Sequence, residues 1–111
     1  MAGISTHILN ASIGQPAVGV VVKLKRQFDE SFVLLDTQRT DQDGRIKAFD
    51  IVHLEQGNYQ LVFEIATYFE QLQVASFYPR VCLDFKVADE TQHYHVPLLI
   101  SPFSYSTYRG S

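Results

Sequence analysis

The sequence predicts an all-β fold, an antiparallel β-sandwich of two sheets with one short helix. Three observations carry that prediction. Apolar residues recur with a period of two in three separate segments, turn-forming pairs punctuate the chain at short intervals, and a single segment spaces its apolar residues by three and four. In chain order, residues 6–10 form a first short apolar run, closed by the turn signal Gly14-Gln15-Pro16. In VGVVVKLK, Val18, Val20, Val22 and Leu24 share one face and Gly19, Val21, Lys23 and Lys25 the other, as in a half-buried strand. An irregular apolar run over 32–40 ends at the turn pair Asp43-Gly44, and Gly57-Asn58 introduces the next strand. There Tyr59, Leu61, Phe63 and Ile65 alternate with Gln60, Val62, Glu64 and Ala66. TYFEQLQ brings Tyr68, Phe69 and Leu72 to one side of a short helix, which Pro79 keeps short. Val81, Leu83, Phe85 and Val87 then alternate with Cys82, Asp84, Lys86 and Ala88. Two last strands are expected over 94–100 and 105–109, separated by Ser101-Pro102.

With 111 residues, 46% of them hydrophobic, the chain suits one core and is read as a single domain over 1–111. Nine basic against 12 acidic side chains give a net charge of −3 without a run of one sign, which argues against nucleic-acid binding. The small cluster Lys23, Lys25, Arg26 alternates on a strand and is read as a solvated face. One cysteine, Cys82, excludes a disulfide within the chain and a multi-cysteine zinc site. No stretch approaches the roughly 20 apolar residues of a membrane span, and residues 1–16 do not read as a secretory signal. A soluble protein of the cytoplasm, with no membrane association, is the expectation.

The residues able to do chemistry are concentrated in HYHVP near the end. His93 and His95 share a face with Pro97 and Leu99, while Tyr94, Val96, Leu98 and Ile100 take the core face. Two imidazoles so placed suit proton transfer near neutrality, or equally a metal ion held between them. Pro97 predicts an exposed edge or an irregularity in that strand. His7, in STHILN, is by itself an ordinary surface or half-buried imidazole. In TDQDGR, the Asp-Gly turn launches Arg45 into a strand, where its planar fork can hold an anionic oxygen or its stem can merely cover the sheet. His53 belongs to a loop or strand end. There is no phosphate loop and no nucleophile elbow, and Cys82 reads as a structural thiol, so covalent catalysis has no candidate.

Taken together, STHILNASIGQPA, TDQDGRIKAF, YFEQLQVASFYPRVCLDFKV and HYHVPLLISPFSYSTYRGS resemble the 5-hydroxyisourate hydrolase family, the transthyretin-related enzymes of urate breakdown. The likeness runs over nearly the whole chain. It implies a transthyretin-like sandwich and hydrolysis of 5-hydroxyisourate to 2-oxo-4-hydroxy-4-carboxy-5-ureidoimidazoline, with water activated by histidine and no cofactor or bound metal. Carried over by position, the catalytic groups fall on His7, Arg45 and His95, and the substrate-binding tail on Tyr108, Arg109, Gly110 and Ser111. His93 is expected as a supporting neighbour of His95. The resemblance also implies a homotetramer with active sites where dimers meet. Asn10 departs from the aspartate that commonly follows HIL or HVL. The main rival is a non-catalytic carrier of small ligands on the same fold; a zinc site on His7, His93 and His95 is a weaker one.

Overall fold

The computed structural model describes residues 2–111. Nine strands and one helix follow in the order β1 Gly3–Asn10, β2 Gln15–Pro16, β3 Val21–Phe28, β4 Ser31–Arg39, β5 Arg45–Ile46, β6 Gly57–Phe63, α1 Ile65–Gln71, β7 Val81–Val87, β8 His93–Ser101 and β9 Ser104–Thr107. One sheet runs β2-β1-β8-β9 with β5 also paired to β1, and the other runs β4-β3-β6-β7. Every pairing is antiparallel except β1 with β8, which is parallel.

Alternation explains how the sheets stack. Ile4, Ile8, Leu98 and Ile100 from one sheet and Val22, Leu24, Leu61 and Phe63 from the other are fully buried, so the core lies between the two inner faces. The alternation expected for β6 and β7 is observed, with Tyr59, Leu61 and Phe63, then Val81 and Val87, turned inward. Two expectations shift. Val18 is 40% exposed because the chain turns at Gly19, whose φ of +79° suits glycine, and the strand starts only at Val21. The helix starts earlier than expected, at Ile65, burying Ile65, Tyr68 and Phe69 and leaving Leu72 at its end exposed.

Asn10 has a clear role in this packing. Buried at the end of β1, its amide donates to the Tyr68 hydroxyl at 3.1 Å, while its carbonyl oxygen accepts from the Ser12 N–H and hydroxyl. An amide meets these needs without placing a charge in the interior. Among the described residues no helix is long and apolar enough to cross a membrane.

Candidate active site

The outer face of the β1–β8 sheet carries the polar groups. Inner positions of β1 go to Ile4, Thr6, Ile8 and Asn10, so Ser5 and His7 project outward; β8 likewise buries Tyr94, Val96, Leu98 and Ile100 and projects His93 and His95. The parallel register sets Gly3 beside His93, Ser5 beside His95 and His7 beside Pro97. On the other side of β1, β5 sets Arg45 beside His7. Residues from positions 7, 45 and 95 thereby meet on one surface.

The two-residue β5 holds Arg45 by means of its turn. Asp41 accepts the backbone N–H groups of Asp43 and Arg45, each at 2.9 Å, and its carboxyl is held below the ordinary range, first by the Arg45 N–H. Gly44 has φ +73°, and a Cβ there would lie 2.5 Å from the Ile8 carbonyl oxygen, to which no side chain can be fitted. The turn is therefore pressed directly against β1. No carboxylate pairs with Arg45 among the described residues, whose ion pairs are Arg26–Glu55 and Arg80–Glu64.

A cleft of about 230 Å³ opens on this face, lined by Ser5, Thr6, Arg45, Lys47, His93, His95 and Ser111 with Ile46. It holds two cations and no aspartate or glutamate, so it attracts anions. His7 lies at its margin, close enough for its charge to act on His95. The His95 pKa is lowered below the ordinary 6.5, first by burial, then by Arg45, His7 and His93. The imidazole is thus neutral at pH 7 and can accept a proton.

Sequence reasoning missed Ser5 and Lys47. The Ser5 hydroxyl lies 2.7 Å from His93 Nε2 and 2.7 Å from His95 Nδ1, tying the two rings together. Only the β1–β8 register could reveal it, because the contact spans 88 to 90 residues of chain. Among the described residues no three His, Cys, Asp or Glu side chains converge to hold a metal ion; the nitrogens His93 and His95 turn toward each other meet on a hydroxyl.

The terminal tetrapeptide, expected to line the pocket as a unit, divides within one protomer. Ser111 lines the cleft, and the Gly110 N–H donates to the His95 carbonyl at 2.8 Å. Tyr108 and Arg109 border a separate cavity of about 350 Å³ near the β7 edge, where Arg109 lies 4.5 Å over the Tyr94 ring and donates to Gln92. That cavity is larger, but no histidine lines it. Exposed Cys82 also borders it, on the other sheet. His53 is in an exposed loop and takes no part in the cleft.

Pro97 has an explanation in the same segment. β8 is interior to its sheet, so the alternative of an irregularity is the one found. Leu98 pairs Thr107 and His95 bridges Gly110, which sets Pro97 opposite Tyr108, where the ladder is interrupted. The missing N–H falls at that break. The Thr107 hydroxyl donates to the Pro97 carbonyl at 2.7 Å instead.

Gly110 is required by proximity. A Cβ on it would stand 2.6 Å from His95 Cδ2 and 3.1 Å from Pro97 Cγ. Gly110→Ala should consequently turn the His95 ring or lift the tail from its place on β8. A crystal structure of the variant with the ring and the tail both unmoved would contradict this.

Two facing sheets with a histidine- and arginine-bearing cleft on an outer face define a transthyretin-like β-sandwich whose cleft is polar rather than apolar. Residues 4–110 match the HIUase/Transthyretin family. The chain belongs to that family. It is 44% identical over 115 residues to the 5-hydroxyisourate hydrolase of Caulobacter vibrioides, covering 100% of each chain. The solved structure of Klebsiella pneumoniae 5-hydroxyisourate hydrolase superposes with a TM-score of 0.88 at 39% identity, over 99% of this chain and 100% of that one. Sea bream transthyretin in complex with thyroxine superposes with a TM-score of 0.90 at 27% identity, over 97% and 94%.

Proposed function

We propose that this protein hydrolyses 5-hydroxyisourate, opening the six-membered ring to form 2-oxo-4-hydroxy-4-carboxy-5-ureidoimidazoline in urate catabolism. The chain is a hydrolase, and its nearly full-length likeness to relatives named for that substrate supports the assignment. The single observation that carries the chemistry is His95 and an Arg45 with no ion-pair partner among the described residues, in one cleft lined by no aspartate or glutamate side chain. Ring opening needs a base for the attacking water, a cation for the oxyanion and a proton for the departing nitrogen. His95 takes the proton from water, Arg45 holds the developing negative charge, and His7, beside Arg45 at the cleft margin, supplies the proton. Ser111 closes the cleft, Gly110 seats the tail on His95, and Tyr108 and Arg109 anchor it.

The active assembly in this reading is a homotetramer with sites where dimers meet. The shallow cleft lies on an open sheet face, and Ile13, Phe77, Phe103 and Tyr108 stand 59–69% exposed, as side chains covered by further copies would. Transthyretin's fold alone does not separate enzyme from carrier, since one fold hosts both. The cleft supports the enzyme: two imidazoles and a guanidinium have no task in holding an apolar ligand.

Freshly generated 5-hydroxyisourate loses its ultraviolet absorbance slowly, and adding the protein should accelerate that loss. With His95 as base, activity requires its neutral form. Because its pKa is lowered, kcat/KM should stay level as pH falls through 7 and decline only below the ordinary 6.5. No acceleration at any pH would remove the hydrolase reading, and a rate already falling between pH 8 and 7, read against the ordinary 6.5, would remove His95 as the base.

A further inference from the structure

We propose that Ser5 is a proton relay between His95 and His93, so that the base of the reaction is a chain of three groups ending in solvent. The inference rests on the hydrolase reading and deepens it. Ser5 is only 6% exposed, and its Oγ sits 2.7 Å from both His95 Nδ1 and His93 Nε2, at the centre of the chain. Both rings line the cleft, His95 half-buried and His93 exposed to water. Gly3 makes the placement possible, since a Cβ there would press to 3.3 Å from His93 Nδ1.

One hydroxyl proton between two nitrogens gives the chain a direction. In the form ready for reaction, His95 Nδ1–H donates to Ser5 Oγ, Ser5 O–H donates to His93 Nε2, and His95 Nε2 offers its lone pair to the cleft. As the attacking water forms its C–O bond to the ring carbonyl, its proton passes to His95 Nε2. The Nδ1 proton moves to Ser5, and the Ser5 proton moves to His93 Nε2. His95 and Ser5 end neutral, and the positive charge rests on His93, which releases a proton to water afterwards.

The physical reason for a relay is the charge around His95. Arg45 from β5, Lys47 just after it and His7 from β1 face this region, and no aspartate or glutamate side chain among the described residues lines the cleft to balance an imidazolium on His95. Moving the charge from the half-buried His95 to the exposed His93 places it where water solvates it best. Ser5 and His93 are therefore positioning residues that act through His95. A lone structural hydroxyl has no need of two histidines at the same short distance.

The test compares wild type, Ser5→Ala, Ser5→Thr, His93→Gln, the double variant Ser5→Ala/His93→Gln, and His95→Ala, in mixtures of light and heavy water. Ser5→Ala and His93→Gln should each lower kcat by about 10²-fold, the lower end for a positioned proton-transfer group, with KM within about twofold. The double variant should be no slower than the slower single one, and Ser5→Thr should recover most of the rate. Dependence of kcat on deuterium fraction should be curved in wild type and linear in Ser5→Ala. Wild-type rates in both single variants, losses that multiply in the double variant, or an unchanged deuterium dependence would overturn the relay. His93 is exposed, so His93→Gln serves even where Ser5→Ala folds poorly. If His95→Ala is slow while both relay variants are fast, the relay alone is wrong; if His95→Ala is also fast, His95 is not the base and the relay falls with it, while failure of the wild-type protein to accelerate the reaction would remove the hydrolase reading itself.

Discussion

His95→Ala should lower kcat for 5-hydroxyisourate hydrolysis by about 10²–10⁴-fold, the contribution of a positioned general base. The fold should survive, because what His95 gives to the sheet is backbone. Its carbonyl accepts the Gly110 N–H, and its strand is held by the parallel ladder to β1 on one side and β9 on the other. Removing the ring also leaves Ser5 hydrogen bonded to His93. Circular dichroism and the unfolding midpoint should stay close to wild type while turnover drops. Near-normal turnover would show that water is activated elsewhere, with His7 the next group to replace.

Arg45→Ala should cost about 10²–10³-fold in kcat/KM, the scale of losing one oxyanion donor. Arg45→Lys should restore only part, because an ammonium keeps the charge and loses the planar fork. The residue is well suited to this comparison. Its side chain is exposed and forms no ion pair among the described residues, so substitution leaves no buried group stranded. Its backbone N–H, which ties the turn to Asp41, is untouched. A stability change larger than the activity change would mean that Arg45 covers the sheet and does not act on the substrate.

Much of this architecture was legible because period-two alternation reports which side of a strand faces the core. β6, β7 and β8 could be read in that way, and with β8 came the outward direction of His93 and His95. Legibility failed where a local pattern met a tertiary constraint. Val18 continues the alternation of Val20 and Val22 yet is exposed, since Gly19 turns the chain before the strand begins. Pro97 was legible as an exposed edge or an irregularity, and that it is the latter, in an interior strand, depends on β9 leaving the ladder at Tyr108. The tail was legible as a motif and not as geometry, because its division between two cavities follows from its antiparallel bridge to β8 at Gly110.

By itself the sequence determined the all-β class, the inward and outward faces, the turn that launches Arg45, and, through resemblance, the family and the residues to examine. These are local properties of spacing and side-chain chemistry. Only the tertiary structure decided that β1 lies parallel to β8, in a register that sets Ser5 beside His95. Strand pairing between segments some 90 residues apart is chosen by how both sheets bury their inner faces, and no local pattern encodes it. That pairing brings a buried hydroxyl between two imidazoles and an arginine within electrostatic reach of one of them, and so gathers into one cleft residues that are ordinary in isolation.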